Sequence, residues 1–408
     1  MTNTSNFSLL MVSAFMLLNI YPIDGYKTTG ITRLIPIEKA FENGDKITRI
    51  PAGALHMLED IELNLTSRQQ LSAEDVFIKD PALSEQIKSV IPKGAYSITV
   101  LDITDPAEIK YAAINETHGY QPGSVGKLVV LNAFFTELQK IYPNSWDKRV
   151  ELLQNKKVTA RYWGEGDHHT IPVYNVATEK LVKRKVVGTD DFSLYQWLDH
   201  MVSVSNNGAA SIVYRETVLM SVFGKDYPRL TNEMAEEYFD SMHSDSLRNM
   251  SHRIINEPLR GLGITFDEWR LGGPFTRNAS NKLGRKQGSH GTPVGLMKFL
   301  IKLEQGNIVD EQTSLEMKRL LYLTDRRIRY AYSPELHKAM VYFKSGSYYS
   351  GGNGDYMGSK FNFMNSVIIV EQPNGTKYIV CLMTNVLNKN SANDHFYLAG
   401  KIDKIINE

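Results

Sequence analysis

The feature that most constrains this chain is where its hydrophobic period changes. Residues 96–103 (YSITVLDI) alternate and are rich in β-formers, and residues 110–114 (KYAAI) follow a turn at Asp105-Pro106. This predicts a β-hairpin. From residue 121 the pattern turns helical. The apolar run 128–135 (LVVLNAFF), residues 192–201 and 207–222, and the stretch 223–260 all read as helices. Thr292-Pro293 opens another through Leu303, with Thr at the cap and Pro in the first turn, and residues 311–321 give one more. The period then returns to two at 340–345 (MVYFKS), and at 365–371 and 377–384, which flank the turn signal Pro373-Asn374-Gly375-Thr376. A helix over 392–406 closes the chain. The fold class predicted is α/β (α+β): an antiparallel sheet drawn from both chain ends and flanked by helices, plus an all-helical lobe.

The first residues predict export. Residues 1–23 carry no charged side chain, and 9–18 (LLMVSAFMLL) is almost wholly apolar. That run is too short for a bilayer, which needs about 20 residues, and matches the h-region of a secretory signal. A buried N-terminal helix is the alternative. The expected organisation is a signal peptide over 1–25 ending near Gly25, a small segment over 26–92, and a main domain over 93–408. For the small segment, Pro36, Pro51, Pro81 and Pro92 suggest a few strands and one helix at 81–90. No Cys follows the apolar run to take a lipid anchor, and no later stretch is apolar enough to be a transmembrane segment. The expected location is therefore periplasmic or secreted. The 46 Lys and Arg against 45 Asp and Glu give a net charge of +1, which argues against nucleic acid as a partner. The single Cys381 excludes an intramolecular disulfide and a Cys-clustered metal site, and its place on an expected core strand makes it a packing residue.

Three short patterns carry chemistry, in the order Ser124-Val125-Gly126-Lys127, Ser205-Asn206-Asn207 and Lys344-Ser345-Gly346. Each alone is weak. A second Ser-x-x-Lys begins at Ser145, in a polar loop, and a second Ser-x-Asn at Ser391 comes after Lys344. Ser124 instead follows Pro-Gly and opens an apolar helix. A Ser hydroxyl is a poor nucleophile without a neighbouring base. Residues i and i+3 share a helix face, which puts Lys127 within reach of the Ser124 oxygen. A Lys becomes a base only when burial or a second cation lowers its pKa, and the apolar helix and Lys344 can supply both. The Ser124 amide, at a helix N-terminus, can bind a developing oxyanion together with the amide of Ser347. Gly346 lets a substrate approach the strand.

In this order the patterns resemble the penicillin-recognising serine hydrolases, in particular the class A β-lactamase group with its S-x-x-K, S-D-N and K-T-G motifs. Flanking residues extend the likeness: 94–103 (GAYSITVLDI) is similar to that family's first strand, 197–211 (WLDHMVSVSNNGAAS) to its S-D-N helix, and 291–321 to its T-P helix and successor. The resemblance implies a β-lactamase/transpeptidase-like fold over 93–408 and a serine hydrolase that opens a β-lactam amide through a Ser124 acyl-enzyme. It also implies antibiotic resistance or β-lactam catabolism as context. Lys127 would be the activating base and Ser205 a proton shuttle to the leaving nitrogen. Asn207 would contact the substrate amide, and Lys344 and Ser345 its carboxylate. No cofactor and no metal are implied. The substrate would be a small β-lactam or a peptidoglycan-type peptide.

The departures set the alternatives. Asn206 stands for the usual Asp and Ser345 for the usual Thr. The motif intervals of 81 and 139 residues imply insertions near 142–190 and 223–260. No E-x-x-L-N pattern is present to supply the deacylating Glu. Glu268, in EWRLG, and Glu257, before a Pro, are the nearest candidates, and Glu268 reads better as a solvated helical charge. Without that Glu the acyl-enzyme would stall. This favours a slow β-lactamase, a D-alanyl-D-alanine peptidase or other penicillin-binding hydrolase, or a non-hydrolytic acylated sensor. Gly166 to His169 (GDHH) reads as a surface loop rather than a metal site, and Lys183 to Lys185 (KRK) as a solvated face. Gly351 to Gly354 (GGNG) reads as a turn, with Tyr348 and Tyr349 as site walls.

Overall fold

The structure is a computed structural model that describes residues 22–45, 47, 50–350 and 361–408. Residues 1–21, which carry most of the expected signal peptide, and the 351–354 turn lie outside the described residues. The expected sheet forms from strands β1 (Tyr96–Asp102), β2 (Lys110–Ile114), β3 (Met340–Ser350), β4 (Phe361–Glu371) and β5 (Lys377–Asn385). Their order is β2-β1-β5-β4-β3, and every neighbouring pair is antiparallel. The two chain ends meet where Tyr96 pairs with Thr384 and Asp102 with Tyr378. The β4–β5 hairpin turns through Gly375, at φ +95°, as the Pro-Asn-Gly-Thr signal required.

Both faces of the sheet are covered, so its central strands are apolar almost throughout. Ile379, Cys381 and Met383 face the helical lobe, and the alternating Tyr378, Val380 and Leu382 face the opposite layer. That layer consists of helix α1 (Pro81–Val90) and the C-terminal helix Ala392–Asn407. Cys381 is fully buried, as a packing residue should be, and burial pushes its thiol pKa up.

The lobe is built around α2 (Lys127–Ile141), which a 3-10 turn, Gly123–Gly126, precedes. Residues 128–135 of α2 have essentially no exposure. Helix α2 packs on α3 (Leu194–Val202), α4 (Asn207–Phe223) and α5 (Ser244–Gly261). Helix α6 (Pro293–Glu304) begins at its expected Thr292 cap, whose hydroxyl accepts from the Gly295 amide at 3.1 Å, and α7 (Glu311–Tyr322) follows. No helix of the described residues is long and apolar enough to cross a membrane.

The N-terminal segment differs from expectation. Its helix at 81–90 is present, but the described residues of 22–80 form short helices and 3-10 turns instead of strands. Several of its backbone groups are satisfied by distant parts of the chain. The Gly53 amide donates to the His337 carbonyl and the Leu65 amide to the Glu304 carbonyl, while the Leu58 amide donates to the Asp24 carboxylate within the segment. The segment is also fastened by charge. Arg33, 1% exposed, makes two 2.6 Å bonds to the buried Asp199 carboxylate on α3. Ile23, Ile31 and Leu34 join the core of the helical lobe.

Candidate active site

The 3-10 turn that carries Ser124 is pressed against the sheet edge. A Cβ at Gly346 would lie 2.3 Å from the Pro122 carbonyl oxygen and 2.8 Å from the Ser124 amide nitrogen. Gly346 is therefore required by the approach of the chain's own turn, a tighter constraint than the substrate access read from the sequence. Gly123, at φ +54°, faces Ser347 in the same way. Asn365 on β4 donates to the Gln121 carbonyl at 3.0 Å, and the Gln121 side chain accepts from the Gly123 amide at 2.9 Å. These contacts fix the turn against β3, the edge strand.

Ser124, Lys127, Ser205, Asn207 and Lys344 come together in one network. Lys127 Nζ lies 2.8 Å from Ser124 Oγ, 2.7 Å from the Ser205 carbonyl oxygen and 2.7 Å from Asn207 Oδ1. Those three acceptors match the three protons of an ammonium. Ser205 Oγ is 3.3 Å from Lys127 Nζ and accepts from Lys344 Nζ at 2.8 Å, so one hydroxyl bridges the two lysines. Lys344 also donates to the Ser345 carbonyl at 2.9 Å. Ser205 sits at φ +59°, a conformation costing a side-chain-bearing residue about 1–3 kcal/mol. The two lysines hold it there.

Both lysines are buried, and among the described residues neither has a carboxylate in contact. Burial drives the Lys127 pKa down to about 7 against a small opposing pull from Asp167. Burial, then Lys127, then Arg329 drive Lys344 well below its ordinary value. The Phe275 ring, 4.9 Å from Lys127 Nζ, closes the apolar side.

Cavities of about 560 and about 540 Å³ flank Ser124, with Ser124, His168, His169 and Ser347 lining both. Lys344, Ser345 and Gly346 line the first, and Asn207, Tyr348 and Tyr349 the second. Neither Glu257 nor Glu268 lines them. The Glu268 carboxylate is bound to Lys298 at 2.7 Å and to the Thr265 amide at 2.8 Å, and the wall near it is made by residues 271–275.

Four residues have a place at the site that was not foreseen. Asp167 is buried behind Asn207, accepting from its backbone amide at 2.6 Å and its Nδ2 at 3.1 Å, and His169 Nδ1 is 2.8 Å from the same carboxylate. Burial would raise the Asp167 pKa, but His169 and the Asn207 amide outweigh it and hold it at about 2. The GDHH stretch is thus a cavity wall rather than a plain surface loop. The donor atoms of Asp167, His168 and His169 lie within 4.8 Å of one another, with His169 hydrogen-bonded to Asp167 and the His168 ring 4.1 Å from that of His169. Arg329 donates to the Gly346 carbonyl and to Ser347 Oγ, both at 3.1 Å, and lines the first cavity. The run Arg326-Arg327-Ile328-Arg329 before β3 was its only sequence signal. Lys183, read as solvated, pairs with Asp325 and lines the same cavity, because a hairpin of Ile171–Asn175 and Lys180–Arg184 folds back over it.

A hydroxyl beside a lysine with a depressed pKa, under a second cation and next to two backbone amides, is suited to nucleophilic attack on an anionic carbonyl substrate. Comparisons with known proteins agree with this geometry. The family model described as Beta-lactamase2, Beta-lactamase enzyme family, matches residues 82–407. Among solved structures, TLA-1 extended spectrum β-lactamase is 16% identical with a TM-score of 0.52, over 80% of this chain and 96% of that chain. A representative class A β-lactamase from Bacteroides cellulosilyticus is 16% identical with a TM-score of 0.50, over 79% of this chain and 95% of that chain. No curated protein matches in sequence. At these identities the solved structures establish a shared fold, and the family match, spanning most of the chain, settles membership. The chain belongs to the β-lactamase enzyme family.

Proposed function

We propose that this chain is an exported serine hydrolase that opens a β-lactam amide through an acyl-enzyme on Ser124, in the manner of the class A enzymes. The observation that carries the reading is Lys127, buried against Ser124 Oγ with a pKa near 7. When Lys127 loses its proton, the hydrogen bond reverses and the Ser124 hydroxyl donates to Nζ. Oγ attacks the lactam carbonyl as its proton passes to Lys127. The amides of Ser124 and Ser347 receive the oxyanion. Ser205, bonded to Lys344, relays a proton to the departing nitrogen as the C–N bond breaks. Lys344, Ser345 and Arg329 hold the substrate carboxylate. The second proton of Asn207 Nδ2 meets the substrate amide, the first being committed to Asp167.

A second reading is favoured by one observation: among the described residues no Glu lines either cavity. A carboxylate that activates a hydrolytic water is missing from the expected wall. That supports slow release, as in a penicillin-binding peptidase acting on D-alanyl-D-alanine ends or an acylated sensor. Export is supported by the apolar run at 9–18. Ile23 is buried and the Asp24 carboxylate accepts from the Leu58 amide, which supports a cut ahead of these residues over one after Gly25.

The test treats the purified protein and Ser124→Ala with a chromogenic cephalosporin and a fluorescent penicillin. Turnover that disappears in the variant supports a β-lactamase. Persistent labelling without turnover supports the second reading. Neither labelling nor turnover in the wild type overturns both.

A further inference from the structure

The acyl-enzyme needs a base to activate water, and the loop that faces Ser124 offers Leu271, Gly272, Gly273, Pro274 and Phe275, none of which can accept a proton from water. Other cavity residues are eliminated by their chemistry. Arginines do not deprotonate. Lys127 is committed to Ser205 and Asn207 and Lys344 to Ser205, and among the described residues the one lining carboxylate, Asp325, is committed to Lys183. Two histidines are the lining residues that offer an imidazole nitrogen. His168 is 83% exposed, and its Nδ1 is 3.6 Å from Asp167. His169 is 32% exposed, and its Nδ1 lies 2.8 Å from the same carboxylate, whose pKa of about 2 keeps it charged.

That contact settles the tautomer. A proton on Nδ1 donates to Asp167, so the Nε2 lone pair is left as the acceptor. Among the described residues Nε2 has no hydrogen-bond partner, and the ring lines both cavities beside Ser124. The backbone is fixed as well, because the Asn206 side chain donates to the His169 carbonyl at 3.0 Å. An oriented imidazole with one free nitrogen beside the nucleophile is the arrangement of a general base.

We propose that His169, oriented by Asp167, is a further catalytic residue that activates the water releasing the Ser124 acyl group, in place of the missing Glu. Water attacks the ester carbonyl carbon. One O–H bond breaks, its proton goes to Nε2, and the carbonyl π pair moves onto oxygen. Collapse of the tetrahedral species breaks the C–Oγ bond, and Oγ takes the proton back from His169, which restores both groups. The inference rests on the acyl-enzyme reading above.

The experiment measures labelling and label release separately, with a fluorescent penicillin, in the full chain and in His169→Ala. His169→Gln, similar in bulk but without basicity, guards against a packing effect. Acylation should change by less than about threefold, while release slows about 100-fold or more, the usual contribution of a general base. Added imidazole should restore part of the release rate in the Ala variant alone. Unchanged release in both variants, or equal loss of acylation and release, overturns the proposal. A wild type that labels and never releases overturns it and leaves the acyl-enzyme reading standing. A wild type that never labels overturns both.

Discussion

Two buried lysines in this molecule have opposite fates. Lys318 on α7 has no exposure and lies 2.8 Å from Glu304 on α6 and 2.7 Å from Glu371 on β4. Burial pulls its pKa down, but the two carboxylates outweigh it and hold the ammonium above its ordinary value. Lys127 is equally buried and is driven down to about 7, because its contacts are two hydroxyls, a carbonyl and an amide. Burial alone therefore does not decide what a lysine can do here. The presence of a carboxylate within contact distance does. Lys318 ties α6, α7 and the sheet together and donates to the Glu62 carbonyl, which fastens the N-terminal segment. Lys127 is left poised to exchange a proton.

Substituting each lysine separates the two roles. Lys318→Met leaves Glu304 and Glu371 facing each other without a cation, and should cost about 3–5 kcal/mol in a denaturant melt. Lys127→Met should change stability by less than about 2 kcal/mol. Removing a buried charge that lacks a counter-carboxylate offsets the acceptors left unpaired. The same variant should lose about 10²–10⁴-fold in acylation rate, read by fluorescent-penicillin labelling. If Lys127→Met unfolds as readily as Lys318→Met, the distinction between the two lysines fails. A finer probe is Asp167→Asn. Asp167 raises the Lys127 pKa, so neutralising it should move the acylation pH profile downward by up to about one unit. A shift upward would show that Asp167 acts chiefly by holding Asn207.

Much of this was legible from the sequence, for identifiable reasons. The sheet followed from period-two runs at both ends, and α2, α4 and α6 from apolar runs with Pro or capping signals. Ser124 and Lys127 were joined by their spacing of three. What escaped lies in segments without periodicity. Asp167 and His169 sit in an irregular loop, and Arg329 in a 3-10 turn, so no pattern tied them to residues far away in the chain. Lys318 lies on a helix that the sequence did predict, but nothing local marked it as buried, because Glu304, Glu371 and the Glu62 carbonyl that surround it belong to other parts of the chain. That segment misled most. Its prolines suggested strand boundaries, whereas Pro36, like Pro81, opens a helix and Pro51 precedes a 3-10 turn whose Gly53 amide is satisfied by the distant His337 carbonyl.

The central claim is that Lys127 is the base, made so by burial without a counter-carboxylate. The most direct test is the rate of acylation by a fluorescent penicillin between pH 5 and pH 11, measured before any release. The neutral amine is the active form, so the rate should rise with pH through about 7 and then level off. A rate that stays flat through neutrality and climbs only toward the ordinary lysine value of 10.5 would contradict it.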